Sequence, residues 1–138
     1  MSVECFLDTN VLVYAAAAGE REREKRQTAL RLIDETDFGL SAQVMQEFYV
    51  TVVRKAKVPL TPIQALEWLE QLRVFPCADI DANLVIVAVE ISERYRISYW
   101  DSAIIAAAES LEAPILYSED LNHQQAYGSV RAVNPFLA

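Results

Sequence analysis

The chain has 138 residues, 53% of them hydrophobic, and a formal net charge of −8; this suits one folded domain with a sizeable core. Three glycines, five prolines and no apolar run near ~20 residues exclude a disordered chain and a membrane-spanning helix. The acidic balance excludes a simple nucleic-acid coat, and the isolated Cys5 and Cys77 read as small core residues, not as a disulfide or zinc framework.

Val3 to Leu7 is short, mostly apolar and β-prone, the pattern of a strand buried on both faces. Asp8 ends it, and Thr9 or Asn10 is expected to cap a helix over about residues 10–18. A polar cluster at a strand's carboxyl end and a helix's amino end sits where open α/β sheets bind ligands. A plain turn built from Asp-Thr-Asn is the alternative. Gly19 breaks the pattern, and Glu20 to Thr36 is expected to form a second helix, sign-alternating and solvated in its first half. Its second half turns Ala29, Leu32 and Ile33 inward.

Phe38-Gly39-Leu40 predicts a short strand, with Ser41 capping a helix to about Lys55. Glu47 falls at the edge of that helix's buried face, beside Val44 and Phe48; a boundary glutamate reaching solvent is the alternative. Thr61-Pro62 starts a further helix, with Ile63, Leu66, Leu69 and Leu72 as its apolar stripe. Val74 to Ala78 is a candidate strand, and Asp81 caps an apolar helix ending near Tyr95. A last helix is expected over Asp101 to Glu112, with Ser98 and Asp101 at capping-box spacing. Pro114 to Tyr117 follows as a strand, then Ser118, Glu119 and Asp120 at its exit, where an Asx turn is again the alternative. Val130 to Val133 closes the chain as an expected edge strand.

Strands alternating with helices, without repeat or linker, imply a single α/β domain over residues 1–138 with a parallel sheet between helical layers. Neighbouring parallel strands bring their carboxyl ends together, so Asp8 and Asp120 can share a pocket. Four acids near strand exits and a buried helix face suit a hard cation such as Mg²⁺ or Mn²⁺, which prefers carboxylate and water oxygens. No Gly-rich phosphate loop, Ser/His/Asp order or Cys-His cluster is present, and His123 is the lone histidine. P-loop, triad and zinc chemistries are thereby removed. Of the 12 Lys and Arg residues, eight lie between Arg21 and Lys57, so an anionic substrate needs local basic help or metal ions. Arg54, Lys55 and Lys57 are the candidates for steering it. Ser2-Val3-Glu4 lacks the basic start of a signal peptide, and a cytoplasmic protein is expected.

Phe6-Leu7-Asp8-Thr9-Asn10-Val11-Leu12, Glu47 within Ser41 to Phe48, Trp100-Asp101-Ser102-Ala103-Ile104, and Ile115-Leu116-Tyr117-Ser118-Glu119-Asp120-Leu121 occur in that order. Together they resemble the PIN-domain nucleases, and within them the VapC toxins of bacterial toxin–antitoxin pairs. The resemblance implies a three-layer α/β/α sandwich with a mostly parallel central sheet. It implies Mg²⁺ or Mn²⁺ on Asp8, Glu47, Asp101 and Asp120, with Thr9, Asn10 and Ser118 supporting those carboxylates. It further implies endoribonuclease activity on RNA, a cognate antitoxin and a homodimer; no membrane partner is expected, since no apolar run is long enough to span a membrane. Glu119 stands beside Asp120, and either could face a metal; Gln124 stands where relatives often carry Gly. Tyr14, Trp68 and Leu69 are candidates to line a groove for an amphipathic partner helix. Rival readings are a small-molecule phosphatase using the same acids, and a PIN-like module that only binds RNA or protein.

Overall fold

The computed structural model describes residues 2–137. Its first strand, β1 (Cys5–Leu7), is buried along its whole length. β1 runs parallel to β2 (Phe38–Ser41) on one side and to β4 (Ile115–Tyr117) on the other, with Phe6 opposite Gly39 and Leu116. β3 (Cys77–Ala78) and β6 (Val130–Val133) extend the sheet outward in parallel, and β5 (Ala126–Tyr127) closes one edge antiparallel to β6. The order β3-β2-β1-β4-β6-β5 reverses direction at β1. That reversal opens a crevice outside the carboxyl ends of β1 and β4, the switch point where open α/β sheets place ligands.

Among the described residues, six α-helices cover the sheet. α1 (Thr9–Ala17), α2 (Arg23–Glu35), α3 (Ala42–Arg54) and α4 (Pro62–Leu72) pack on one another. α5 (Ala82–Tyr95) pairs with α6 (Tyr99–Ser110), which lies along β2, β3, β4 and β6. The result is the expected α/β/α sandwich. Ser102 to Ala108 of α6 are all buried, because a run rich in alanine lets the helix backbone approach the sheet closely. Phe6, Leu7, Val11, Phe38, Phe48, Ile105 and Leu116 fill the centre of the core.

Several expectations are corrected. α1 is capped by Asp8 itself, whose side chain accepts from Thr9 N at 2.7 Å, and not by Thr9 or Asn10. The second helix begins as a short 3₁₀ turn, Glu20–Glu22, where Glu22 folds back to accept from Gly19 N. β6 is interior and not an edge, since the two-residue β5 pairs outside it across a turn at Gly128, whose φ of 63° suits a tight hairpin. Only Cys77 and Ala78 of the 74–78 run pair with β2, and Val74 is 77% exposed. α6 begins at Tyr99, two residues before the expected start, because Ser98 caps it. Along α4, Ala65 and Leu72 are buried while Ile63 and Leu66 face outward.

Candidate active site

Asp8 leaves the end of β1 directly into the first turn of α1, and its backbone N donates to Tyr117 O of β4 at 3.0 Å. The carboxylate is 5% exposed. Its two oxygens are both engaged: Thr9 N donates to Oδ1 at 2.7 Å and Ser118 Oγ to Oδ2 at 2.7 Å. Ser118 is itself fully buried at the end of β4, and its Oγ accepts from Asp120 N at 3.1 Å. One serine thereby ties the two strand exits together. Burial pushes the Asp8 carboxyl up to about 7, against the Ser118 and Thr9 bonds and with help from the nearby Asp120 and Glu47 charges. The helix amino terminus favours an anion here, yet desolvation wins.

Glu47 projects from the middle of α3, half-buried. Thr9 Oγ1 donates to its Oε1 at 2.7 Å and Gln43 Nε2 to its Oε2 at 3.1 Å. Gln43, one helical turn earlier, also donates to Trp100 O at 3.2 Å and so joins α3 to the first turn of α6. Asp101 stands in that turn, with Ser98 Oγ accepting from its backbone N at 3.1 Å. Burial raises the Asp101 carboxyl above its ordinary value, Ser98 opposes the rise, and the charges of Asp120 and Glu47 add to it. Asp120 is exposed, and Asn10 Nδ2 donates to its Oδ2 at 3.0 Å.

The fold therefore gathers Asp8, Glu47, Asp101 and Asp120 around one crevice, with Thr9, Asn10 and Ser118 each holding a carboxylate. As they lie, no three Asp, Glu, His or Cys side chains among the described residues are grouped tightly enough to cage one ion. Like charges repel, and the carboxylates of Asp8, Glu47 and Asp120 each accept from neutral donors. In kind the donors fit a hard cation, since all four are carboxylates. Asn10 Oδ1 points the same way: among the described residues it is a buried side-chain oxygen with no hydrogen-bond partner. A buried acceptor left so costs about 1–3 kcal/mol, which a cation or its hydration water would recover.

Glu119 is turned away from the crevice. Its Oε1 accepts from Tyr14 Oη at 2.5 Å and its Oε2 from Lys25 Nζ at 3.1 Å, and Lys25 also donates to Tyr14 Oη at 3.1 Å. The Lys25 ammonium lies 4.8 Å from the Tyr14 ring centre and 5.7 Å from that of Phe136. This cluster leaves Asp120, of the two neighbouring acids, beside the crevice. Neither the cluster nor the Gln43 clamp was foreseen; for Gln43 the spacing of four to Glu47 on one helix was the available signal.

Lys55 and Lys57 line a cavity of about 360 Å³ together with Thr9, Asn10 and Asp120, whereas Arg54 is exposed and lies outside it. Tyr14 lines the same cavity, whose lining does not include Trp68 or Leu69, and Trp68 packs on Phe48 with ring centres 6.1 Å apart. His123 is exposed, and its Nδ1 accepts from Asn134 N at 3.0 Å, a structural contact. Gln124 next to it has φ 72°, a conformation that favours glycine. Among the described residues, no helix is long and apolar enough to cross a membrane.

A family model described as the PIN domain matches residues 5–128. Comparison with curated protein sequences gives no match. Among solved structures, the chain is similar to VapC20 of Mycobacterium tuberculosis, described as a Sarcin-Ricin loop cleaving toxin, with a TM-score of 0.68 and 20% identity over 86% of this chain and 91% of that one. A toxin–antitoxin complex from Klebsiella pneumoniae matches with a TM-score of 0.68 and 17% identity over 96% and 98%. FitAcB from Neisseria gonorrhoeae matches with a TM-score of 0.64 and 19% identity over 96% and 98%. Likeness at such identities speaks for the fold.

Proposed function

The chain belongs to the PIN-domain family, and we propose that it is a single-domain endoribonuclease dependent on Mg²⁺ or Mn²⁺, the toxin of a toxin–antitoxin pair. The observation that carries the reading is the set of four carboxylates gathered at the switch point of a parallel sheet, one of them buried and raised to about 7. Asp8, Glu47, Asp101 and Asp120 would hold the cation. Bound there, it supplies Lewis-acid stabilisation of charge on a scissile phosphate and its attacking water.

The chain's own residues do the rest. Ser118 and Thr9 N fix the plane of the Asp8 carboxylate, and Thr9 Oγ1 with Gln43 fixes Glu47. Asn10 orients Asp120. Such supporting bonds set ligand geometry and basicity. Coordination would exchange the Thr9 and Asn10 bonds of Glu47 and Asp120 for bonds to the ion. With burial pushing its carboxyl up to about 7, Asp8 would have to lose its proton to hold a cation.

The antitoxin and homodimer belong to the same reading. Toxin–antitoxin complexes stand among the solved structures of like fold, and Ile63 and Leu66 on α4 and Ile86 and Val89 on α5 are exposed apolar residues available to partners. A cytoplasmic site of action accords with an RNA substrate. Incubating purified protein with total RNA, with and without Mg²⁺ or Mn²⁺, tests the activity against an Asp8→Asn control. Cation-dependent fragments from the wild type alone are expected. Turnover of aryl phosphates with RNA left intact would favour a phosphatase instead.

A further inference from the structure

The cavity beside the carboxylates has its own chemistry. Its lining joins Thr9, Asn10 and Asp120 of the crevice to the apolar Val13, Ala17 and Ala56 and to Lys55 and Lys57. At about 360 Å³ it is within the range of small-ligand sites, roughly 300–1,000 Å³. The Lys57 stem passes Gly19, its Cδ 3.5 Å from where a Cβ on Gly19 would stand. Glu22 also lines the wall, but its Oε1 is held by Gly19 N at 3.1 Å.

In a chain of net charge −8, Lys55 and Lys57 bring two ammonium groups to a lining whose acids are Glu22 and Asp120. The hollow suits the flat face of a base, and the ammonium groups suit a phosphate. Resting on the nuclease reading of the adjacent acids, we infer that this cavity is a nucleotide subsite: it takes the nucleotide next to the scissile phosphate, base against Val13 and Ala56, phosphate on Lys55 and Lys57. A peptide of a protein partner is the competing occupant.

Titrating isotope-labelled protein with adenosine and uridine 5′-monophosphates in EDTA tests this without turnover. Saturable shifts at Val13, Ala17 and Ala56 are expected, with Kd about tenfold higher in Lys55→Gln/Lys57→Gln, the loss of a charge-assisted phosphate contact. Ala56→Phe fills the hollow and should abolish the shifts; the lysine variant alters only exposed side chains and keeps the test valid should Ala56→Phe misfold. With RNA, the lysine variant should raise KM about tenfold at nearly unchanged kcat and lower the salt slope by about 0.7 per lost phosphate contact. Absence of shifts at these residues, or equal affinity in the variants, overturns the inference. An amphipathic peptide that shifts them where nucleotides do not overturns it too. RNA cleavage by a protein whose cavity ignores nucleotides removes the subsite and leaves the nuclease standing. Nucleotide binding there by a protein that never cleaves RNA does the reverse.

Discussion

Replacing Asp8 with asparagine should abolish RNA cleavage and yet stabilise the fold, by an amount that grows with pH. The buried carboxyl titrates near 7 folded and near 3.8 unfolded. Between those values the folded state binds more protons, so stability falls as pH rises through the window and is fully retained only below it. About three pH units at 1.4 kcal/mol each put the cost of ionising Asp8 in place near 4 kcal/mol at pH 8. The amide cannot repeat both carboxylate bonds to Ser118 and Thr9, which returns about 1–2 kcal/mol. The variant should therefore match the wild type near pH 5 and exceed it by about 3 kcal/mol at pH 8, roughly 8 °C in Tm for a chain of this size. Thermal unfolding of both proteins in EDTA across that range measures the difference, and shared charges elsewhere cancel in it. A difference that is flat with pH, or an Asp8→Asn protein less stable at pH 8, would refute the argument that burial governs this carboxyl.

Ser118→Ala removes the hydroxyl that holds Asp8 Oδ2 and receives Asp120 N, at a cost of about 2 kcal/mol. It should also raise the Asp8 carboxyl further and move the acid limb of the pH–rate profile upward; an unmoved limb would detach Ser118 from Asp8. Saturating Mn²⁺ should stabilise the wild type by about 2.7 kcal/mol at a hundredfold excess over Kd, read as a rise in Tm. Asp120→Asn should lose most of that gain and Glu119→Gln almost none, since Glu119 is committed to Lys25 and Tyr14. That half-exposed pair itself contributes under about 1 kcal/mol, read from melting in EDTA. Gln124→Gly relieves a left-handed backbone and should add about 0.5–1 kcal/mol by chemical denaturation. Ile63→Gln with Leu66→Gln should change stability by less than about 0.5 kcal/mol, because both side chains face outward; a larger loss would place them in the core.

Much of the fold was legible because its signals are local. Ser41, Thr61, Asp81 and Ser98 each cap a helix through a backbone N–H three residues on, which spacing alone reveals. Val3 to Leu7 followed by Asp8 marked a buried strand with a polar exit, and the α/β alternation gave the sandwich. The same alternation put Asp8 and Asp120 at one sheet edge. The structure decided what depends on partners distant in the chain. Ser118 reaches Asp8 across 110 positions and Lys25 reaches Glu119 across 94, and no local pattern marks either pair. Glu119 and Asp120 are adjacent acids with the same propensity, so only the cation packed beside one of them could sort their roles. Ile63 and Leu66 share the periodicity of Leu69 and Leu72, but helical period says which residues lie together, not which side the neighbouring elements cover. β6 became interior through a two-residue strand too short to carry an alternating pattern. Except for that local hairpin, the deciding energy is a contact between elements far apart in sequence, available only after the chain has closed on itself.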